Sequence, residues 1–289
     1  MNFLPIFLGI AIPALVMAYS IGYEVRAFTL RRVQIPLLPP GSKPIKVLHF
    51  SDFHMTPNQR KKQAWIQSLA ALKPDLVIVT GDFLAHKDVV GNVLKSLDGL
   101  KDIPGFFVFG SNDYYAPKAK NPLLYLKKDD GHRYEGLELP WQDLKAGLEE
   151  WGWKDLTHTK ITTSINQVNF EFRGVDDAHL FRDDYSKIAG AVKTGHIGIG
   201  VSHAPYLRIL DGMANDGVAI TFAGHTHGGQ VCLPIKGALV TNCDLDTARA
   251  KGLHKHHDMW LHISAGLGTN PYTPFRLACK PEATLIRLV

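Results

Sequence analysis

Ile45-Lys46-Val47-Leu48-His49-Phe50-Ser51-Asp52-Phe53-His54 holds the pattern that decides the fold. A short apolar run, Ile45 to Phe50, reads as a buried strand. It stops at a small polar residue and is followed at once by Asp-x-His. The same pattern recurs down the chain. Leu76 to Thr80 reads as a strand and ends at Gly81-Asp82. Gly105 to Phe109 ends at Gly110-Ser111-Asn112-Asp113. His196 to Ser202 runs into His203, and Val218 to Ala223 into His225 and His227. Further strands are expected at Val168 to Gly174, Trp260 to Ser264 and Thr284 to Leu288. Between the early strands, Trp65, Ile66, Leu69 and Leu72 fall at helical spacing within Gln63 to Leu72. Val89 to Leu100 and Trp141 to Trp151 also read as helices. Strands alternating with helices make an α/β fold. In such folds sites gather beyond the carboxyl ends of the strands, where these polar residues fall.

The residue types fit one chemistry. Carboxylate and imidazole are ligands of borderline divalent ions such as Mn, Zn or Fe. Alternate side chains of an extended segment point the same way, so Asp52 and His54 can face one ion, and His225 and His227 can divide between two. One carboxylate, Asp82, can bridge two cations with its two oxygens. Two such ions can hold a water between them and neutralise a phosphate opposite it. Asp-x-His or Gly-Asp alone recurs by chance. The series as a whole supplies two metal shells.

On these residues the chain resembles the calcineurin-like metallophosphoesterases. The matching pieces are Ser51-Asp52-Phe53-His54, Thr80-Gly81-Asp82, Gly110-Ser111-Asn112-Asp113, Ser202-His203-Ala204-Pro205 and Gly224-His225-Thr226-His227-Gly228-Gly229-Gln230. The resemblance implies a four-layer αββα sandwich of two mixed sheets. It implies that Asp52, His54 and His227 hold one ion, that Asp82 bridges, and that His203 and His225 hold the other. The family usually has Gly-Asn-His before an acidic residue. An ungapped match puts Ser111 at the Asn position and Asn112 at the His position; we take Asn112 as the ligand, with Ser111 the alternative. The phosphate-side histidine is then missing, and His86 is a candidate to replace it. The expected activity is a metal-dependent phosphoesterase in which metal-bound hydroxide attacks phosphorus. The Gly-Gly-Gln extension and the N-terminus are similar to the membrane-associated branch, which includes UDP-diacylglucosamine pyrophosphatases, so a lipid-linked or other membrane-proximal substrate is expected. The alternatives are a phosphodiesterase or nuclease on soluble nucleotides, or a metal-binding protein with little turnover.

The rest of the 289-residue chain bounds these readings. Phe3 to Tyr23 is uncharged and mostly apolar, long enough to cross a hydrocarbon core as a helix. Residues 1–24 read as an uncleaved transmembrane anchor. Arg26, Arg31 and Arg32 follow it and place the catalytic domain in the cytoplasm. Residues 25–44, with Pro36 to Gly41, read as a linker, and 45–289 as the phosphoesterase domain with 114–159 an inserted flap. A net charge of +5 suits an anionic partner, yet no basic block suggests a nucleic-acid arm. Lys118, Lys120, Lys127, Lys128 and Arg133 in the flap read as a solvated face or a head-group site. His254, His256 and His257 read as a surface loop rather than a third metal site. Asp176, Asp177 and His179 read as a structural turn. Three cysteines without CxxC spacing argue against a disulfide framework.

Overall fold

The computed structural model describes residues 4–119 and 136–289. The helices are α1 (Leu4–Gly22), α2 (Arg60–Ser68), α3 (Val90–Leu97), α4 (Ser111–Tyr114), α5 (Trp141–Glu150) and α6 (Leu207–Asn215). The strands β1 (Thr29–Ile35), β2 (Ile45–Phe50), β3 (Leu76–Thr80), β4 (Gly105–Val108) and β5 (Lys154–Asp155) enter one sheet. Then β6 (Thr159–Ile165), β7 (Val168–Gly174), β8 (Ile197–Val201) and β9 (Ile220–Ala223) enter a second. A short hairpin, β10 (Cys232–Leu233) and β11 (Gly237–Ala238), follows. β12 (Gly252–His256) and β13 (Met259–Ile263) return to the second sheet, and β14 (Glu282–Leu288) to the first.

Both sheets are mixed. The first has the order β1-β14-β2-β3-β4-β5, antiparallel only between β14 and β2. The second has the order β12-β13-β9-β8-β7-β6, antiparallel at its two outer pairs. Strand alternation sorts the side chains. Ile45 and Val47 of β2 and Leu76 and Ile78 of β3 join Phe170, Phe172, Ile199, Val201 and Phe222 in a core between the sheets. Phe106 and Phe172 stack across it with ring centroids 3.8 Å apart. Leu48, Phe50, Val77 and Val79 point the other way and bury Ile66 of α2, Val93 of α3 and Leu148 of α5. On the far face of the second sheet, Leu210 and Met213 of α6 cover Leu261 and Ile263. The result is four layers, helix–sheet–sheet–helix, as expected.

Several boundaries differ from the sequence reading. The expected linker contains β1, which pairs with β14 from Thr29↔Glu282 to Ile35↔Leu288, so the sheet starts before residue 45. Thr29 to Ile35 alternates weakly and carries two arginines, which hid it. The expected flap is largely part of the domain: Leu144, Leu148 and Trp153 share the core of α2 and α3, and β5 extends the first sheet. Lys120, Lys127, Lys128 and Arg133 lie outside the described residues; Lys118 is exposed. His254 and His256 belong to β12 and not to a loop.

A helix forms where the membrane anchor was expected, but among the described residues no helix is long and apolar enough to cross a membrane. The expected transmembrane helix is therefore not found. The last turn of α1 is tied to the domain: Ser20 O accepts from Arg276 N at 3.4 Å. Just beyond it, the buried Glu24 accepts from Cys279 N at 2.6 Å.

Candidate metal centre

β2 and β3 are parallel, and their ladder runs on past both strand ends. Asp52 N donates to Gly81 O and His54 N to Asp82 O, each at 2.9 Å. The backbone then leaves the extended region. Asp52, His54, Asp82, His225 and His227 all have positive φ, between 41° and 69°. A left-handed L-residue costs about 1–2 kcal/mol, so surrounding contacts must hold these turns. The buried carboxylate of Asp113 holds one of them. It accepts from Asp82 N (2.8 Å), Phe83 N (2.7 Å), Leu84 N (3.0 Å) and Gly110 N (2.9 Å). Gly81 and Gly110 allow the loops to close. A Cβ on Gly110 would lie 2.4 Å from Asp82 Oδ1, and one on Gly81, at φ +82°, would lie 2.6 Å from Gly110 N.

These turns bring Asp52, His54, Asp82 and His227 together, buried, with one ligand atom from each within 4.8 Å of all the others. His54 Nε2 is 3.1 Å from His227 Nε2 and 3.4 Å from Asp82 Oδ2. His227 Nε2 is 3.6 Å from Asp52 Oδ1. Ligands about 2.0–2.1 Å from a tetrahedral ion stand roughly 3.4 Å apart, so these spacings fit one shared cation. On the other side of Asp82, His203 Nε2 is 3.5 Å from the same Oδ2. His203 is fully buried, and among the described residues its Nε2 has no hydrogen-bond partner. An orphaned imidazole nitrogen beside a carboxylate fits a second cation.

The tautomers agree. His203 Nδ1 donates to Thr80 O at 2.7 Å and His227 Nδ1 to Gly268 O at 3.0 Å, so in the neutral ring, the form a metal binds, each Nε2 is the lone pair that faces the cluster. His225 instead donates through Nε2 to Asn242 O at 3.1 Å, so its lone pair is on Nδ1, and its ring meets that of His203 with centroids 5.2 Å apart. Asp52 accepts from Ser51 Oγ at 2.5 Å and from His225 N at 3.1 Å. Asn112 donates to Asp82 twice, from backbone N to Oδ1 and from Nδ2 to Oδ2, both at 2.8 Å. To serve as a ligand, the Asn112 amide would have to turn its Oδ1 toward the ion, because Nδ2 carries no lone pair. Ser111 Oγ is 3.4 Å from Asn112 Nδ2.

Burial strains the cluster electrostatically. It pushes Asp52 up to about 7 and His54 down to about 4. His227 is driven well below its ordinary value by burial and by His54. For His203, burial is outweighed by Asp82, Asp177 and Asp52, which raise it to about 9. For Asp82, burial is outweighed by His203, His54 and the two Asn112 bonds, which hold it low. Divalent cations would relieve these opposed pressures.

Three groups were not recognised in the sequence. Arg276 is fully buried and donates to Ala265 O (2.8 Å), Gly268 O (2.7 Å) and Cys279 O (3.2 Å). It thereby fixes the loop that orients His227. Asp177 is fully buried with Oδ2 unpartnered, and burial raises it to about 7. The ring of His179 lies 4.5 Å from that of His225, so the turn read as structural borders the centre. Its signal was available, since Val168 to Gly174 is one more strand ending in polar residues. His86 is 44% exposed at its side chain, and its Nδ1 accepts from Asp88 N at 3.1 Å. Asp211, His256 and His257 also cluster. There Arg249 Nη1 is 3.0 Å from His256 Nδ1, which puts the imidazole proton on Nε2, toward Asp211, the wrong tautomer for an ion at that spot.

Residues 45–229 match the calcineurin-like phosphoesterase family model. The chain belongs to that family. It is 32% identical over 253 residues to YkoQ of Bacillus subtilis (strain 168), an uncharacterized metallophosphoesterase, covering 85% of this chain and 84% of the relative. It is 24% identical over 270 residues to phosphodiesterase YaeI of Escherichia coli (strain K12), covering 91% and 88%. Calcineurin-like phosphoesterases use a dimetal centre, and the buried Asp/His cluster stands where this one would bind. The chain is a metal-dependent phosphoric ester hydrolase.

Proposed function

We propose that the chain hydrolyses a phosphodiester or pyrophosphate at a membrane surface, with Asp52, His54, Asp82 and His227 around one ion and Asp82, Asn112, His203 and His225 around another. The observation that carries the chemistry is the cluster of four buried ligand atoms within 4.8 Å. Its mixed oxygen and nitrogen donors suit Mn, Zn or Fe. When bound, two such ions draw in phosphate oxygens and lower the pKa of a water. The protein's share is to hold that geometry. Thr80 and Gly268 carbonyls orient His203 and His227, Asn112 and Asp113 fix Asp82 and its loop, and burial keeps bulk water from the ligands. Hydrolysis of bis(p-nitrophenyl) phosphate by the purified chain, lost on chelation and restored by Mn or Zn, tests this. No turnover with both ions bound would leave a metal-binding protein.

Two surface features support the membrane setting. α1 exposes Ile12, Leu15, Val16, Met17 and Ile21, and Leu233 and Ile235 project from the β10–β11 region. Pro13, Val16 and Met17 of α1 and Val231, Phe275 and Leu277 line one apolar cavity of about 300 Å³. The apolar helix thus leans on the loops that carry His227. Arg26, Arg31 and Arg32 beside it suit an acidic cytoplasmic leaflet. Flotation with phosphatidylglycerol vesicles, compared with a chain lacking residues 1–22, tests association. Protease digestion of intact against opened cells tests the cytoplasmic side. Equal flotation of both forms, or digestion in intact cells, would reject this setting.

A further inference from the structure

Arg182 stands at the edge of the centre in an unusual state of preparation. Its Nε donates to Asp176 Oδ2 at 3.0 Å. Asp176 is itself fixed, since its Oδ1 accepts from Tyr114 OH and from Asp177 N, both at 2.7 Å. The guanidinium carbon lies 4.0 Å over the Tyr114 ring, and Arg182 N closes the turn by donating to Asp177 O at 3.0 Å. One of five guanidinium donors is spent. Among the described residues Nη1 and Nη2 have no protein partner, and the side chain is 40% exposed.

The position of this group matters as much as its readiness. Its stacking partner, Tyr114, is two residues from Asn112, which touches Asp82. Its ion-pair partner, Asp176, adjoins Asp177, whose charge bears on His203 and Asp82. The ring of His179, three residues before it, lies 4.5 Å from that of His225. Arg182 therefore flanks the His203 and His225 side of the centre. It makes no ion pair with any Asp of the cluster, so it stands outside the shell that would hold the reacting phosphate.

We propose that Arg182 is a substrate-binding residue that selects phosphoesters carrying a second anionic group next to the reacting phosphorus. Asp176 offsets part of its charge, so what it offers is directed donation. A guanidinium held by Nε and by stacking presents two terminal nitrogens in the forked geometry that phosphate oxygens accept. The inference rests on the phosphoesterase reading above, and deepens it by naming a substrate class.

The test uses the full-length protein with metal and the variants Arg182→Gln and Arg182→Lys. UDP-glucose, a soluble diphosphate diester, is titrated as a competitor of bis(p-nitrophenyl) phosphate, which reads its affinity whether or not it is cleaved. Arg182→Gln should weaken UDP-glucose at least about 10-fold while KM and kcat for bis(p-nitrophenyl) phosphate stay within about 2-fold. Arg182→Lys should fall between. p-Nitrophenyl phosphorylcholine, with a cation in place of the second anion, should not weaken. Metal content and melting temperature should match the parent, and calorimetric titration of UDP-glucose should show the same loss. A uniform change across all three compounds, or none, overturns the inference. If the parent lacks turnover, the phosphoesterase reading fails on its own, and calorimetry still decides whether Arg182 binds the diphosphate.

Discussion

His203 turns its Nε2 to Asp82 Oδ2 at 3.5 Å because its Nδ1 is held 2.7 Å from the carbonyl of Thr80. Thr80 is the last residue of β3 and His203 follows β8, so the contact joins the carboxyl ends of strands from two different sheets. The residue that aligns the imidazole lies two positions before the carboxylate it faces. Sheet packing and ligand orientation are thus one constraint.

Asp82→Asn removes the charge expected to serve both ions. Hydrolysis of bis(p-nitrophenyl) phosphate should fall by at least about 10³-fold, equivalent to roughly 4 kcal/mol of barrier. Elemental analysis should show fewer than two ions per chain. Two ions in the variant would show that Asp82 is not shared.

Gly110→Ala should act on the same carboxylate without replacing any of the proposed ligands. The new Cβ would meet Asp82 Oδ1 at 2.4 Å and His203 Cε1 at 2.6 Å. Activity should drop at least about 10-fold, with weaker metal retention. Gly91→Ala, where nothing lies within 4 Å, is the control; it should keep activity and gain up to about 1 kcal/mol of stability in α3. Full activity in Gly110→Ala would mean the loops around Asp82 are looser than described.

The repeat of strand-then-polar-residue made the sheets and six of the proposed ligands readable, because parallel strands put their carboxyl ends on one side. What stayed hidden lacks periodicity. β1 carries Arg31 and Arg32 and is defined by its partner β14, far away in sequence. Arg276 looks like any loop arginine until its carbonyl partners converge. The left-handed backbone at five ligands cannot be seen at all, since Asp and His do not announce positive φ as glycine does.

Acid should destabilise the chain through a buried histidine pair. His49 and His262 face each other, Nδ1 to Nδ1 at 2.8 Å, and His49 Nε2 is 3.1 Å from Thr80 Oγ1. Burial and the neighbouring His262 hold His49 well below its ordinary value, and burial and His254 hold His262 down to about 3. Both folded-state values lie below the unfolded value of about 6.5. The unfolded chain therefore binds more protons in acid, and stability present above about pH 6.5 is lost as pH falls. Between about pH 7.5 and 5.5 the pair should account for roughly 2–3 kcal/mol. Urea unfolding with chelator present should show that much less pH dependence in His49→Gln/His262→Met. An unchanged pH dependence would show that the pair does not titrate as argued.

Asn112 and Ser111 compete for one place, and Asn112 is the one that contacts Asp82. Its backbone N and its Nδ2 both reach Asp82 at 2.8 Å, whereas Ser111 Oγ touches only the Asn112 amide, at 3.4 Å. Asn112→Ala deletes the side-chain contact but keeps the backbone N–H on Asp82 Oδ1, so the bridging carboxylate keeps half of its support. A neutral ligand lost from one ion can be replaced by water. Turnover should therefore fall by about 10- to 100-fold, equivalent to roughly 1.4–2.7 kcal/mol, less than for Asp82→Asn, and excess Mn or Zn should restore much of it. Ser111→Ala should change turnover less than about 3-fold at any metal concentration. The metal dependence separates the two readings: a ligand variant shifts the concentration needed for half activity, and a bystander does not. If Ser111→Ala shifts it and Asn112→Ala does not, the ungapped motif match is right, Ser111 is the ligand, and the Asn112 contact to Asp82 is only a brace.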